Sequence, residues 1–375
     1  MFIYLDNSAT TRPCPEAVSA MTAALTESWG NPSALYRFGM DAARSLRTAR
    51  EQVAKALGAE TDQVFFTSGG TEADNWAIFS AMARMGKRGK HVITTAIEHH
   101  AVLNPMKRLE EQGYTVTYLK PDQAGRITLD ALRDALRPDT VFVSIMMVNN
   151  ETGAVMPIAQ MAKLIRRIAP NAIFHTDAVQ GFLKIPFQAK TLGADLISVS
   201  SHKVHGPKGA GALYIRKGLP LPAHLLGGGQ EGGYRSGTEA VPAIVGFGAA
   251  CLAALPSLKE DIAREAQLRD SIIARLAEYP RIQLLGAHEA PHILALSIPG
   301  VPTQNTINIL QDSGICVSAG SACAKGHRSH VLEAMNLPPK VMDGAFRVSL
   351  SRYTTAEEVE ALMTGLEAVL TRMSR

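Results

Sequence analysis

The sequence predicts an α/β protein with a large domain built on a mainly parallel β-sheet and a smaller α+β C-terminal domain. Short apolar runs, which are typical of buried strands, alternate with amphipathic helical stretches through the first two thirds of the chain. The length of 375 residues exceeds what one hydrophobic core usually supports. We therefore expect two domains with a cleft between them.

The predicted strands of the large sheet are runs rich in Val, Ile, Phe and Thr. They span residues 64–67, 91–94, 115–118, 141–145, 172–175 and 196–199. Before the first strand, apolar residues recur at intervals of three and four up to Leu57, and Gly58 follows where a helix commonly ends in a left-handed residue. This pattern predicts an amphipathic helix packed against the sheet.

The domain boundary is predicted within a long helical pattern that runs from residue 249 to 276. Pro256 breaks this pattern, because proline lacks the N–H group that a helix interior requires. Beyond it, residues 292–297 are predicted to form a strand, and Thr355 with Glu358 forms a capping box that starts the last helix. The predicted units are a large domain of residues 13–256 and a small domain of residues 257–375, joined by an N-terminal segment of residues 1–12.

The composition is that of a globular protein in water. Apolar residues make up 46% of the chain and charged residues 19%, and no apolar run reaches the length of about eighteen residues that a membrane span needs. The N-terminal residues lack the pattern of a secretion signal, so we expect a cytoplasmic location and no membrane partner. The net charge of +4 comes from scattered basic residues, which argues against a nucleic-acid partner.

Polar residues collect where the predicted strands end, which is where open α/β sheets bind ligands. Gly70 and Thr71 follow the first strand at the start of a helical pattern, which could direct backbone N–H groups at a phosphate. An ordinary helix cap is the common alternative for such residues. Several later strands also end in His, Asn, Asp or Ser. Together, these polar strand ends favour a binding site.

Lys203 directly follows an apolar strand and is surrounded in sequence by Ser, His and Gly. Desolvation lowers the pKa of such a lysine and frees its lone pair for a Schiff base, although a surface lysine is the usual alternative. Asp177 closes the preceding strand and could keep a pyridine nitrogen protonated, or it could cap a helix.

The four cysteines, Cys14, Cys251, Cys316 and Cys323, form no C-x-x-C pair, so neither a disulfide framework nor a zinc site is predicted. Cys323 lies in a run of small residues followed by basic ones, which indicates an exposed loop in which the thiolate is favoured by cations such as Arg328. A structural thiol in a tight turn is the alternative. Cys316, between Ile and Val, is interpreted as an ordinary buried residue.

The order of these motifs resembles the cysteine desulfurases, a branch of the class V aminotransferase group of fold-type I enzymes that use pyridoxal 5′-phosphate. The resemblance covers nearly the whole chain, including residues 4–11, 30–33, 67–72 and 347–354. It implies a fold-type I homodimer that removes sulfur from L-cysteine, giving L-alanine and a persulfide on Cys323. A sulfur-acceptor protein, such as an iron–sulfur scaffold or another sulfur carrier, would then receive the sulfur.

The resemblance also implies residue roles. The catalytic residues would be Lys203, which binds the cofactor, Cys323, which receives the sulfur, and His99, which stacks on the cofactor ring. The remaining cofactor-binding residues would be Gly70, Thr71, Asp177, Gln180, Ser200, His202 and, in the neighbouring subunit's site, Thr238. The substrate would be bound by Asn31, Asn150 and Arg347.

Several alternatives stay open at this level. His100 competes with His99, and Arg352 competes with Arg347; the two arginines lie in one strand-like segment at odd spacing and should face opposite sides. No carboxylate or thiolate complements the histidine pairs, so we expect no metal. The alternative functions are a selenocysteine lyase, a small-molecule aminotransferase on the same fold, or a non-catalytic scaffold that keeps the fold.

Overall fold

The strands form three sheets in a computed structural model that describes residues 2–319 and 328–373. In chain order the strands are Ile3–Tyr4 (β1), Val64–Thr67 (β2), His91–Thr95 (β3), Thr115–Leu119 (β4), Thr140–Ser144 (β5), Ile173–Asp177 (β6), Leu196–Ser200 (β7), Gly211–Ile215 (β8), Gln283–Leu285 (β9), Ile293–Ser297 (β10), Ile315–Cys316 (β11) and Ala345–Ser349 (β12).

Helices connect these strands and cover the sheets. They are Pro15–Thr26 (α1), Arg37–Leu57 (α2), Gly70–Met85 (α3), His100–Glu111 (α4), Leu129–Ala135 (α5), Ile158–Ile168 (α6), Ala189–Leu192 (α7), Val241–Ala254 (α8), Leu258–Leu276 (α9), Thr303–Asp312 (α10), His330–Ala334 (α11), Pro339–Asp343 (α12) and Ala356–Arg372 (α13).

The large sheet has seven strands in the order β2-β8-β7-β6-β5-β3-β4. The pairs from β7 through β6, β5 and β3 to β4 are parallel, whereas β8 runs antiparallel to both β7 and β2. All six predicted strands are present, and their ends differ from the predicted ends by at most two residues. The mainly parallel α/β architecture is confirmed. Because β6 and β7 are parallel neighbours, their carboxyl ends place Asp177 and Ser200 at the same edge of the sheet.

The predicted helix signals are confirmed at both ends of the chain. Gly58 ends α2 with φ of 64°, a left-handed conformation that glycine adopts without steric cost. Thr355 and Glu358 form the predicted capping box at the start of α13. These two helix signals could be predicted from the sequence because each depends only on residues a few positions apart.

The long helical pattern is two helices, and the first begins at Val241 rather than at residue 249. Helix α8 packs against α1 and α2 and lies against the core on several sides, so it lacks the polar stripe that makes a helix visible in sequence. Helices α8 and α9 meet at a 78° bend. Among the described residues no single helix could span a membrane, and this bent pair meets the criterion only jointly, by length and composition.

A second hydrophobic core lies beside the three-stranded sheet β12-β10-β9 and includes the N-terminal segment. Ile3 and Leu5 are buried there against residues of β10, β12 and α13. Strand β1 pairs in parallel with β11, so the first residues of the chain are part of the packing of the C-terminal region. The predicted boundary near residue 256 stays a prediction.

A buried ion pair holds the glycine-rich segment that follows β8. The guanidinium of Arg50 donates from both terminal nitrogens to Glu231, at 2.6 and 2.7 Å, and Phe66 N donates to the same carboxylate at 2.8 Å. Glu231 adopts a positive φ of 51° in this position. The carboxylate is nearly inaccessible, so its charge depends on these donors.

We predict that Arg50→Ala lowers the free energy of unfolding by about 3 kcal/mol, because it leaves the Glu231 charge buried without its partner. Arg44→Ala is the matched control, since Arg44 and its partner Asp41 are exposed and their pair contributes little. Urea unfolding followed by circular dichroism measures both changes. Equal urea concentrations at the unfolding midpoints of the two variants would contradict the stabilising role of the Arg50–Glu231 pair.

Candidate active site

Ten predicted site residues line one cavity of about 270 Å³ at the carboxyl ends of β6 and β7. They come from six separate parts of the chain and meet only in the folded protein. These residues are Gly70, Thr71, His99, Asn150, Asp177, Gln180, Ser200, His202, Lys203 and Arg347.

Two predicted residues, Asn31 and Thr238, are not among the described residues that line this cavity. Asn31 is exposed, and its Oδ1 accepts a hydrogen bond from Ser33 N at 2.9 Å, which is a local turn contact. Thr238 is also exposed in the single chain. Cys323 lies outside the described residues. The roles predicted for these three residues stay predictions.

One end of the cavity is suited to a phosphate. Helix α3 begins there at Gly70, and the first N–H groups of a helix have no partner within it. A Cβ at Gly70 would lie 2.7 Å from Val179 Cγ2, so the close packing of this turn requires glycine. Ser200 Oγ is buried at this end without a hydrogen-bond partner among the described residues, which leaves a hydroxyl for a bound anion.

Lys203 is held at the cavity by the N-terminal segment. It follows β7 in a short 3₁₀ turn, and its Nζ donates to Ser8 O at 2.6 Å and to Ala9 O at 2.7 Å. Thr11 Oγ1 donates to His202 O at 3.0 Å and fixes the same segment against this turn. The amine is therefore positioned by backbone carbonyls that lie far away in the sequence.

Asp177 is the last residue of β6 and lies at the centre of the cavity wall. Burial raises the pKa of its carboxyl to about 6, against the opposing effects of the Val179 N–H donor and the Lys203 charge. Its Oδ1 accepts from Val179 N at 2.8 Å. At neutral pH this carboxylate is ionised and can pair with a cation in the cavity.

Gln180 lies next to Asp177 and already has a partner in the chain. Its Nε2 donates to Ser8 O at 2.9 Å, the carbonyl that also accepts from Lys203. The side chain lines the cavity, and the hydrogen bond to Ser8 fixes its orientation. The amide group keeps a second N–H hydrogen that can donate to another partner. A role toward a cofactor oxygen stays a prediction.

His99 caps α4, and its Nδ1 accepts from Ala101 N at 3.1 Å. Desolvation in the cavity, together with the Lys203 charge, lowers its pKa to about 4, so the ring is neutral at physiological pH. His100 also lines the cavity, and its ring lies 4.9 Å from that of His330. Both adjacent histidines thus line the same cavity. They differ in that the His99 side chain accepts a hydrogen bond from a backbone N–H group.

Arg347 reaches the cavity from β12 and connects it to the second sheet. Its Nη1 donates to Asn150 O at 2.7 Å, and its Nη2 donates to Asp6 Oδ1 at 2.8 Å. The expectation that Arg352 shares its strand is wrong, because the ladder with β10 ends at Ser349. The guanidinium of Arg352 lies 5.0 Å from the Tyr353 ring and faces a different, smaller cavity.

Several residues that line the cavity were not predicted from the sequence, among them Asp74, Glu151 and His330. Glu151 accepts a hydrogen bond from Ser329, which lies just before α11. A signal existed for Asp74, since it lies three residues after Thr71 and so shares a face of α3, but no motif marked it. Within the described residues, no group of three His, Cys, Asp or Glu side chains is arranged to hold a metal ion.

The described thiols lie away from the cavity. Cys14 and Cys251 are buried, whereas Cys316 is only half-buried, which corrects its interpretation as an ordinary buried residue. The reason is that β11 is a two-residue strand paired with β1 alone among the described residues. Arg328, expected to favour a thiolate at Cys323, forms a bidentate pair with Asp343, so its charge is already partly neutralised.

Comparison with known proteins identifies the family. The family model described as aminotransferase class-V matches residues 3–362. The cysteine desulfurase of Trichormus azollae is 43% identical over 376 aligned positions, covering 99% of this chain and 93% of that protein.

Solved structures agree with this match. A "NifS-like protein" superimposes with a TM-score of 0.93 at 38% identity, covering 99% of this chain and 100% of that one. A structure titled "SspA in complex with cysteine" gives a TM-score of 0.80 at 32% identity and covers 94% and 100% of the two chains. This chain belongs to the cysteine desulfurase family of the class V aminotransferases.

Proposed function

We propose that this protein is a pyridoxal 5′-phosphate-dependent cysteine desulfurase that converts L-cysteine to L-alanine and retains the sulfur as a persulfide on Cys323. The observation that carries the proposal is the convergence of Lys203, Asp177 and the start of α3 in one cavity. Family membership supports the same reaction. The cysteine-bound SspA structure, which has the same fold, supports L-cysteine as the substrate.

The cavity residues fit the cofactor at both of its ends. The N–H groups at the start of α3, with Thr71, Ser200 and His202, would hold the phosphate, and the unpartnered Ser200 hydroxyl is available for it. Asp177 would hold the positive charge of the ring nitrogen. When bound, the cofactor supplies an electron sink for the charge that develops at the substrate Cα.

The other cavity residues orient the substrate and move its proton. Arg347 and Asn150 would bind the substrate carboxylate, for which a guanidinium and an amide are suitable donors. Lys203 would bind the cofactor, and its Nζ would then accept the proton from the substrate Cα. The neutral ring of His99 would cover one face of the cofactor and keep water away from it.

Sulfur transfer requires a second group, and Cys323 is the proposed one. Its thiolate would attack the sulfur of the substrate, so that an S–S bond forms as the C–S bond breaks. The electron pair of the C–S bond would stay with the three-carbon unit, which would take up a proton at Cβ, regain the Cα proton from Lys203 and leave as alanine. A sulfur-acceptor protein, such as an iron–sulfur scaffold or another carrier, would then take the persulfide sulfur.

We also propose a cytoplasmic homodimer. Thr238 is exposed in the single chain and does not line its cavity, which is compatible with a role in the cavity of a partner subunit. Exposed apolar side chains on α1, α2 and the turn between them, including Trp29 and Tyr36, offer a surface that a second copy could cover.

We predict that Lys203→Ala abolishes the visible absorbance of the bound cofactor and the release of alanine from cysteine, because no other lysine among the described residues lines the cavity. Lys208→Ala is the control, since Lys208 is exposed and does not line the cavity. Absorbance spectra and an alanine assay of both purified variants measure the effect. An unchanged spectrum for Lys203→Ala would refute its assignment.

For the sulfur acceptor, we predict that Cys323→Ala keeps the cofactor absorbance but loses at least about 100-fold in sulfide release, because the attacking thiolate is gone. Cys316→Ala controls for the loss of a thiol. Intact mass after incubation with cysteine should show one added sulfur atom in the wild type and in Cys316→Ala, but none in Cys323→Ala. Full activity of Cys323→Ala would instead favour an enzyme such as a selenocysteine lyase.

A further inference from the structure

Three carboxyl groups are buried together behind the ring-nitrogen side of the cavity. Asp177 ends β6, Asp74 projects from α3, which covers β6, and Glu98 precedes α4. Their exposed fractions are 6%, 1% and 0%. Only Asp177 has a role in the proposed function.

The hydrogen bonds of these carboxyl groups are unequal. Glu98 Oε1 accepts from Thr95 Oγ1 at 2.8 Å and from Met146 N at 2.9 Å, whereas Glu98 Oε2 has no partner within the described part of the chain. Asp74 Oδ1 is likewise without a hydrogen bond from the described residues. An ionised carboxylate would need donors at both oxygens to compensate for its burial.

The imidazole beside Asp74 supplies no positive charge. His175 Nε2 lies 3.5 Å from Asp74 Oδ1, but both ring nitrogens already have serine partners, Ser144 Oγ at 2.8 Å and Ser198 Oγ at 2.9 Å. Complete burial lowers the pKa of His175 to about 3, so the ring is neutral. Asp74 therefore has a neutral neighbour where an ionised carboxylate would need a cation.

The charged and titratable groups around Asp74 lie on α3 itself and on several of the elements packed against it. Helix α3 packs on β2, β5, β6, β7, β8 and α4. Glu72, on the same helix, pairs with Arg235 at 2.8 Å. The titratable groups near Asp74 include His175, Asp177, Glu98, His99, His202 and Lys203.

One ammonium cannot neutralise three buried carboxylates. Lys203 is the cation that acts on Asp177, and its charge lowers the pKa of that carboxyl. Like charges that share a buried site do not all ionise, so a proton must remain on some members of the cluster. The neighbouring groups indicate which carboxyl is ionised. Asp177 has a backbone N–H donor and a nearby ammonium, whereas Asp74 Oδ1 has neither among the described residues.

We propose that Asp74 keeps a proton in the folded protein and is a positioning residue that leaves the negative charge of the Asp74 and Asp177 pair on Asp177. The proposal rests on the proposed function, in which Asp177 must be ionised to hold the ring nitrogen of the cofactor. A neutral Asp74 removes a repulsive charge from Asp177 without needing a cation of its own.

The titration behaviour of the cluster supports this assignment. Burial, followed by the charge of Asp177, raises the pKa of Asp74 well above its usual range, and the nearby Ser198 hydroxyl opposes this increase only in part. Burial also raises the pKa of Glu98 to about 8. Burial therefore favours the protonated form of Asp74 and Glu98, whereas the pKa of Asp177 is raised only to about 6.

The first test is infrared difference spectroscopy of the cofactor-free protein at pH 7, comparing wild type with Asp74→Asn. The expected result is the loss of one carbonyl band of a protonated carboxyl. Asp177→Asn is the matched control and should keep that band. Glu98 contributes a second band, which should remain in both variants. An unchanged set of bands in Asp74→Asn, or the loss in Asp177→Asn of the band assigned to Asp74, would overturn the proposal. If Asp74→Asn fails to fold, Asp74→Ala gives the same comparison.

The second test follows the unfolding temperature of the cofactor-free protein between pH 5 and pH 9. A raised pKa in the folded state means that the stabilisation from Asp74 is fully present below its unfolded pKa of about 3.9 and is lost as the pH rises through its folded pKa. The unfolding temperature of Asp74→Asn relative to wild type should therefore increase with pH. A difference that is constant or decreases with pH would contradict a protonated Asp74.

Both tests are independent of the cofactor, so they can fail while the desulfurase assays succeed, or the reverse. A third measurement connects the protonation of Asp74 with the behaviour of the bound cofactor. In the cofactor-loaded protein, the pH at which the visible absorbance changes should shift more in Asp177→Asn than in Asp74→Asn, because the former removes the charge itself. An equal shift in both variants would contradict the positioning role.

Discussion

The parallel pairing of β6 with β7 is the constraint on which the rest of the site depends. Its register places Asp177 opposite Ser198, so that the strand ends direct a carboxylate and the Ser200 hydroxyl into one cavity. The turn after β7 then brings Lys203 to the same edge. A shift of the register by one residue would turn every side chain of the shifted strand to the opposite face of the sheet and remove these groups from the cavity.

The N-terminal segment connects the two cores through the site itself. The carbonyl groups of Ser8 and Ala9 hold the Lys203 amine, while Asp6 pairs with Arg347 of β12. Asn7 Nδ2 donates to Ser349 O at 3.0 Å and anchors the same segment to the second sheet. A short stretch of backbone thus connects the residues proposed to bind the substrate with those proposed to bind the cofactor.

The sequence predicted the features that depend on local patterns. The strands of the parallel sheet, the left-handed Gly58 and the capping box at Thr355 follow from residue type and spacing, and the motif order led to Lys203 and Asp177. The start of α8 was not predictable, because a helix buried on several sides has no amphipathic period. Asp74 and the loss of strand structure before Arg352 depend on which elements pack together, and sequence spacing does not contain that information.

The central claim is that Lys203 is the amine that binds the cofactor in this cavity. Borohydride reduction of the cofactor-loaded protein, followed by proteolysis and peptide mass spectrometry, tests it most directly, since reduction makes the link between lysine and cofactor permanent. The account predicts that the added mass lies on Lys203 alone. A label on Lys184 or Lys208, or no labelled peptide at all, would contradict it.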